Sequence, residues 1–114
     1  MSNILEDLTA LFIGTDIPIE TAAFTGKPPN KYIVFTPVYE DFTIFGDNKP
    51  IIDTQWVRIS LFDRNNYIET KDYIVNLLLV NDFYIVERTY VEYENDTKYH
   101  HFAIDVQKFY ERVN

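Results

Sequence analysis

The residues best suited to acid–base or metal chemistry lie near the C-terminus. The two histidines, His100 and His101, are adjacent. Neighbouring side chains of a strand point to opposite faces, so the pair is poorly placed to bind one metal ion, and His100 with Asp96 across a turn forms a weak site at best. Glu92 and Glu94 have the same-side spacing that acid–base catalysis uses, but such pairs arise by chance among 18 acidic residues. We predict a solvated acidic edge here, with no catalytic or metal site.

Other kinds of chemistry lack the residues they need. The chain has 114 residues, no cysteine and three glycines. The lack of cysteine excludes disulfides, thiol catalysis, zinc fingers and iron–sulfur clusters. The sequence contains no dinucleotide-binding glycine motif, P-loop or nucleophile elbow. Serine occurs only at Ser2 and Ser60. We therefore expect that the chain has no enzymatic activity and binds no cofactor.

The charge balance argues against binding to duplex nucleic acid and to membranes. Eighteen acidic and ten basic residues give a net charge of -8, which repels phosphate backbones and anionic lipids. Tyr84, Arg88 and Tyr90 loosely resemble a single-strand binding platform, but the net charge opposes it. An acidic lining past which DNA slides without binding is compatible with this charge. The longest apolar run, Ile74–Val80, contains Asn76 and is too short to cross a bilayer, and the N-terminus does not resemble a signal peptide.

Two helices are predicted from apolar spacing and capping residues. The first spans Ser2–Gly14, with Ser2 as its cap. Its apolar stripe consists of Ile4, Leu5, Leu8, Leu11 and Phe12. The second begins at Asn66, which forms a capping-box-like pair with Glu69, and ends near Asn81-Asp82. Its apolar stripe consists of Ile68, Tyr73, Ile74, Leu77 and Leu78, widened by Val75 and Leu79.

The rest of the chain alternates between strand and turn patterns. Four long strands are predicted at Lys31–Tyr39, Asp53–Phe62, Phe83–Tyr93 and Lys98–Tyr110, and a short edge strand at Ile19–Phe24. An aromatic content of 17% also favours a sheet with a rigid core or interface. We predict one α+β domain over residues 1–114. Its sheet is antiparallel, or mixed, with four to five strands, and two main helices pack against it.

The segment Glu40–Pro50 is predicted to be a loop that carries apolar residues. Its Phe42, Ile44 and Phe45 are either pinned to the core or reserved for a partner. The turn at Glu94–Thr97 is rich in residues that close turns through their side chains.

Trp56 is predicted to lie on the sheet face opposite the core. Val57, Ile59 and Leu61 alternate with it and are uniformly apolar, so they face the core. A helix or a neighbouring subunit could cover Trp56. Aromatic residues together with arginine are typical of interface centres, which favours an oligomer.

Several stretches form a larger pattern, which covers about residues 4–110. They are Lys31–Phe35, Phe45–Asn48, Trp56–Phe62, Asn66-Tyr67 and Tyr93–His101. Together they resemble the small tail terminator, or tail completion, proteins of long-tailed phages and prophages of Gram-positive bacteria. The last stretch is the most distinctive and is similar to the family's YExDTxxYH turn. The chain departs from the family at Asp82-Phe83, where the family often has Gly-Phe, and in a shortened acidic loop.

The resemblance implies a structural virion protein. Such proteins form a ring, typically hexameric, on the head-proximal end of the tail tube, stop tube polymerisation and present a face to the head connector. The implied family fold is a mixed α/β subunit with a central sheet and flanking helices. The implied partners are further copies of the chain, the tail tube protein and the head connector or stopper protein, with DNA only passing through the lumen and no membrane. The implied location is the head–tail junction of the virion, and the host cytoplasm during assembly.

A closed ring requires two different patches on each subunit that match each other. The predicted contact elements are the Phe42–Pro50 loop and the Tyr93–His101 hairpin, since loops on a rigid sheet often form such surfaces. The candidate interface residues are Phe42, Ile44, Phe45, Asp47, Asn48, Trp56, Tyr93, Glu94, Asp96, Tyr99 and His101.

Two alternatives remain open at this stage. In the first, the chain is another neck component, a head completion or stopper protein that binds the portal side. In the second, it is a non-viral binding module. The net charge of -8 either lines a lumen or keeps subunits soluble until the tail recruits them. The second explanation is preferred, because the sequence does not locate the lumen.

Overall fold

The computed structural model describes residues 3–20, 28–44 and 51–112, with the backbone alone at Ile44 and Arg112. The elements are α1 (Ile4–Ile13), β1 (Lys31–Ile44), β2 (Ile51–Asp63), α2 (Tyr67–Val80), β3 (Tyr84–Tyr93) and β4 (His100–Arg112). The strands form one antiparallel sheet in the order β1-β2-β4-β3. Both helices pack against the same face of it, which we call the helix face; the other is the open face. The predicted α+β class is confirmed.

β2 is the inner strand that holds both helices. Its helix-face residues are Asp53, Gln55, Val57, Ile59, Leu61 and Asp63, and all six are buried. The three central residues are apolar, as predicted, and pack with Ile104 and Val106 of β4 in the core. The polar residues at the two ends of this row each fix the start of one helix.

α1 is tied to one end of β2 through its first turn. Asn3 caps the helix by accepting a hydrogen bond from the Glu6 N–H (2.9 Å). The prediction of Ser2 as the cap is therefore wrong by one residue. The N–H of Ile4 donates to Oε1 of the buried Gln55 (2.7 Å). Because first-turn N–H groups have no partner within a helix, this bond fixes where α1 begins on the sheet.

α2 is tied to the other end of β2 by Asp63. Asn66 caps the helix by accepting from the Glu69 N–H (3.2 Å), as the sequence predicts. Oγ1 of Thr70 donates to Oδ2 of Asp63 (2.6 Å), and the N–H of Asn65 donates to Oδ1 (2.7 Å). The carboxylate of Asp63 therefore holds both the entry to α2 and its first turn.

The Asp63 anchor also decides which face of α2 is buried. With Thr70 against the sheet, Ile74 and Leu78 follow at four-residue spacing and are fully buried, and Val75 lies beside them. The predicted apolar stripe is wrong at three positions, which are exposed: Ile68 (53%), Tyr73 (47%) and Leu79 (56%). No helix in the described part of the chain has the length and apolar character needed to cross a membrane.

α2 ends in a turn that requires a left-handed residue. The N–H of Phe83 donates to the carbonyl of Leu78 (3.1 Å), and the N–H of Asp82 donates to that of Leu79 (3.4 Å). This is the Schellman pattern. Asp82 has φ 65°, a conformation that glycine adopts without steric cost. The helix ends at Asn81-Asp82, as predicted.

β1 is longer than the sequence predicts. Residues Tyr39–Ile44 pair with Ile51–Trp56 of β2. The segment Glu40–Ile44 is therefore strand, and the prediction of a loop there is wrong; residues 45–50 of that loop lie outside the described residues. The register shifts between Pro37 and Tyr39, since proline has no N–H for the ladder and a bulge accommodates it.

The predicted short strand at Ile19–Phe24 is described only as far as Glu20. Ile19 forms an isolated parallel bridge with Ile33, on the outer side of β1. The N–H of Glu20 donates to the Ile33 carbonyl (2.8 Å), and the N–H of Ile33 donates to that of Pro18 (2.9 Å). The start of β1 is thereby covered on its outer side, whereas residues 21–27 lie outside the described residues.

β3 is the outer strand at the opposite edge of the sheet. Its pairing with β4 shifts register twice, so that Val86 and Val91 are the extra residues of two bulges. β3 and β4 agree with the predicted strands to within two residues at each end. The long strands give an elongated molecule of 55 × 26 × 23 Å, with a radius of gyration of 15.9 Å against about 13 Å for a compact chain of this length.

The turn at Asp82 generates a stability prediction. We expect Asp82→Gly to raise the free energy of unfolding by about 0.5–1 kcal/mol, because glycine relieves the steric cost of the left-handed conformation. Urea denaturation followed by the fluorescence of Trp56 measures it. The control Asp72→Gly, at an exposed position inside α2, should be no more stable than the wild type. An Asp82→Gly variant that is less stable than the wild type would contradict this account of the turn.

Candidate interaction surface

The hairpin between β3 and β4 is a closed polar turn, Glu94–Tyr99. The N–H of Glu94 donates to the carbonyl of Tyr99 (2.8 Å), and the carbonyl of Glu94 accepts from the N–H of Lys98 (2.7 Å). Oγ1 of Thr97 donates to the Glu94 carboxylate (2.6 Å). Lys98 takes φ 69°. The acidic motif thus builds its own turn, as the sequence predicts for these side chains.

Beside this turn, four aromatic side chains of the open face form what we call the aromatic stack. The ring of Tyr32 from β1 stacks on Phe62 of β2 with 4.8 Å between centroids, and Phe62 stacks on His101 of β4 at 4.3 Å. Tyr99 meets Tyr32 edge-on at 5.3 Å. The stack therefore joins three strands and the hairpin turn at one end of the sheet.

Tyr99 locks the hairpin turn onto the body of the protein. It is 2% exposed, and its hydroxyl donates to the carbonyl of Pro29 (2.5 Å). The guanidinium of Arg64 lies 4.2 Å from the centroid of its ring, and Nε of Arg64 donates to the carbonyl of Thr97 (2.8 Å). Among the candidate interface residues, Tyr99 is thus a support for the turn rather than an exposed surface.

His100 lies on the helix face, opposite His101, so the expectation that the two rings point apart is confirmed. Its Nδ1 is 3.0 Å from the hydroxyl of Tyr90, and its ring packs on Tyr67 at 4.8 Å and on Tyr93 at 4.9 Å. Tyr90 and Tyr93 are 40% and 42% exposed. A partly exposed tyrosine–histidine surface therefore flanks the start of α2.

The side chain of His101 is partly buried on the open face. Its Nε2 is buried and has no hydrogen-bond partner. Burial lowers the pKa of His101 below the usual histidine value, and the nearby carboxylates of Glu94 and Glu92 oppose that shift only in part. The neutral imidazole is therefore the form that fits the stack.

The other predicted contact residues lie at the far end of the sheet. Trp56 faces the open side, as predicted, and its ring packs against Tyr39 at 5.0 Å, with a buried Nε1 that has no partner. Phe42 is a strand residue with 57% of its side chain exposed. The side chain of Ile44 and the whole of residues 45–50, which include Phe45, Asp47 and Asn48, lie outside the described part of the chain.

The structure therefore separates the candidate residues into two groups. Tyr93, Glu94, Asp96 and His101 lie with the buried Tyr99 at the hairpin end of the sheet, and Tyr93 and Asp96 are exposed. Phe42 and Trp56 lie at the far end. Phe42 pairs with Asp53 and Tyr93 with His100, which faces Asp63. Asp53 and Asp63 are ten positions apart along β2, or roughly 33 Å.

The platform suggested by Tyr84, Arg88 and Tyr90 does not form, because a bulge at Val86 reverses the alternation. Tyr84 pairs with Gln107 and lies on the open face. Arg88 and Tyr90 pair with Ile104 and Phe102, on the helix face. The interpretation of these three residues as one surface is wrong.

The centre of the open face is polar and internally paired. Arg58 of β2 donates from Nε to Oδ1 of Asp105 (2.8 Å) and from Nη2 to Oδ2 (3.1 Å). Asp105 is buried. This bidentate pair satisfies the buried carboxylate and links the two inner strands.

A groove of about 410 Å³ lies at the start of α2, lined among others by Asp16, Lys31, Asp63, Glu69 and Tyr73. Its buried carboxylate, Asp63, already accepts two hydrogen bonds that fix α2. Within the described ranges, no group of three histidine or acidic residues is arranged to hold a metal ion.

Sequence reasoning missed several exposed residues of these surfaces. Val38, Tyr39 and Val91 are 44%, 45% and 48% exposed, although each is apolar and lies in a strand. Of the residues near these positions, Pro37 is the one whose type indicates an irregular strand, because it marks the bulge beside Val38. No protein-family model matches the chain, and no curated protein is significantly similar to it.

The environment of His101 generates a pH prediction. Because its folded pKa lies below the unfolded value of about 6.5, the unfolded state takes up a proton first as the pH falls. The free energy of unfolding should therefore decrease as the pH falls through and below about 6.5. Urea denaturation at a series of pH values between about 8 and 5 measures this decrease. His101→Phe should remove that component, whereas the control His100→Phe should retain it. Equal pH dependence in the wild type and His101→Phe would contradict the assignment.

Proposed function

We propose that this chain is a structural protein of the head–tail junction of a long-tailed phage or prophage. In this proposal, copies of the chain form a ring on the head-proximal end of the tail tube. The ring stops tube polymerisation and offers its other side to the head connector. The chain has no enzymatic role in this account.

The observation that carries the proposal is the aromatic stack. Its members come from three of the separate stretches that resemble the tail terminator family: Tyr32 from Lys31–Phe35, Phe62 from Trp56–Phe62, and Tyr99 and His101 from Tyr93–His101. In the fold, four ring contacts join these residues, with centroids 4.3 to 6.1 Å apart. Their convergence supports a resemblance to one structural unit, the hairpin end of the sheet.

The turn after α2 supports the same resemblance. The family often has Gly-Phe where this chain has Asp82-Phe83. The backbone at Asp82 has φ 65°, which favours glycine, and Phe83 is 5% exposed in the core. The departure from the family pattern therefore preserves the geometry that a Gly-Phe pair would have.

The distribution of surfaces suits an assembly protein. Exposed aromatic residues lie at both ends of the sheet, so two different patches are available on each copy. The net charge of -8 is compatible with DNA passing a ring without binding to it, and equally with keeping free subunits soluble. A head completion or stopper protein is the alternative, and it differs in its partner.

Capping of tail tubes tests this proposal. Tubes are polymerised from the tail tube protein encoded in the same genome, with and without the chain. We expect the chain to co-sediment with tubes in a fixed amount per tube, independent of tube length. Tubes grown in its presence should be shorter, because a cap on the growing end stops addition of subunits.

An unrelated acidic domain of similar size and charge is the control for non-specific adhesion. Binding to portal or connector rings without binding to tubes would replace the proposal by the stopper alternative. Binding to neither would favour a non-viral binding module.

A further inference from the structure

The outer strand β3 is unusually exposed for a strand of its length. Nine of its ten residues are exposed, and Ile85 alone is half-buried. Within the described residues, no strand pairs with its outer side. A row of backbone N–H and C=O groups is therefore left open to another chain.

The side chains of β3 combine three exposed charged residues, Glu87, Arg88 and Glu92, with exposed apolar ones. Five large apolar or aromatic side chains of this strand are exposed: Tyr84 (61%), Val86 (37%), Tyr90 (40%), Val91 (48%) and Tyr93 (42%). They are divided between the two faces of the sheet, with Tyr84 on the open face and Tyr90 and Tyr93 on the helix face, so they have only the strand edge in common.

The opposite edge of the sheet offers a second exposed stretch, Val38–Phe42 of β1. Its Val38, Tyr39 and Phe42 are 44%, 45% and 57% exposed, and Glu40 and Asp41 between them are exposed as well. The earlier part of β1 is not equivalent, because Pro18, Ile19 and Glu20 pair with Ile33 there. Eight of the nine exposed large apolar side chains on described strands lie on β1 and β3.

The direction of the strands allows these two edges to join. The order β1-β2-β4-β3 is antiparallel throughout, so β1 and β3 run in opposite directions. A second copy that continues the sheet with its strands in the same directions therefore brings its β1 antiparallel to the β3 of the first. Such a contact joins two different patches, and its repetition around an axis closes a ring.

The charges on the two edges are complementary on the helix face. Arg88 of β3 pairs with Ile104, and Glu40 of β1 pairs with Gln55, so both lie on that face. In a sheet that continues from one copy to the next, the guanidinium and the carboxylate lie on the same side. Because the two exposed stretches are at different heights, the copies are offset along the strands, and a ring with this offset requires the strands to tilt relative to the ring axis.

From these observations we infer that β3 of one copy docks against Val38–Phe42 of a second copy, with an antiparallel ladder at the regular segment Glu87–Tyr90 between the two bulges. The inference rests on the ring of the proposed function and assigns its subunit contact. The occupant of the β3 edge is a second copy of this chain.

A pair of matched variants tests the surface. Val91→Lys places a charge on the β3 edge, and Val80→Lys makes the same change at the 76% exposed end of α2. In light scattering over a concentration series, we expect Val91→Lys to raise the concentration for half-assembly by about tenfold, which corresponds to about 1.4 kcal/mol. Val80→Lys should leave it unchanged. Circular dichroism checks that both variants fold. Equal effects of the two variants would overturn the assignment, as would a wild type that stays monomeric at every concentration.

Cross-linking tests which edges meet. The chain has no cysteine, so introduced thiols are unique. We expect the double variant Thr89→Cys with Asp41→Cys, treated with a short bismaleimide, to form a covalent ladder beyond the dimer. Neither single variant should cross-link. Covalent dimers from Thr89→Cys alone would mean that two β3 edges meet, and that result would overturn the head-to-tail contact, as would a double variant that does not cross-link.

The same samples separate this inference from the proposed function. If the wild type caps tail tubes but the double variant on those tubes does not cross-link, the edge assignment fails while the proposed function stands. If cross-linked ladders form but the chain ignores tubes, the edge assignment stands and the proposed function fails.

Discussion

The fold depends on the helix-face row of β2. Its apolar centre, Val57, Ile59 and Leu61, is fully buried and forms the floor of the core. The polar residues at its two ends position the helices. Gln55 accepts a hydrogen bond from the first turn of α1, and Asp63 accepts one from Thr70 of α2. Removing one partner of a buried hydrogen bond lowers the free energy of unfolding more than removing one partner of an exposed bond. The positions of both helices on the sheet are therefore strongly specified. One strand thereby aligns both described helices on a single face of the sheet.

That one-sided arrangement explains where the surfaces lie. With both helices on one side, the side chains of the open face pack on one another, in the Arg58–Asp105 pair and in the aromatic stack. The inner strands β2 and β4 are covered by their neighbours. Among the described strands, the outer strands β1 and β3 carry eight of the nine exposed large apolar side chains, as expected for a subunit whose sheet is completed by another chain.

Features that depend on residues close together in the chain could be predicted from the sequence. Features that depend on contacts between distant elements could not. The Asn66–Glu69 cap depends on neighbours in the chain, and the alternation around Trp56 is a property of one strand, so both predictions are confirmed. The buried face of α2 depends on Thr70 reaching Asp63, which no helical periodicity reveals. Bulges at Val86 and Val91 reverse the faces of β3, because pairing with β4 sets them. The interface role of the candidate residues stays a prediction, which rests on the apolar residues of the predicted loop, on the position of Trp56 and on the resemblance to tail terminators.

Electron microscopy of tail tube ends after incubation with the chain tests the central claim most directly. If the chain caps tail tubes, we expect a single closed ring, with a central hole, at one end of each tube. In class averages its subunits should meet side by side through the edges of their sheets. Decoration along the tube walls, or bare tube ends at saturating protein, would contradict the account.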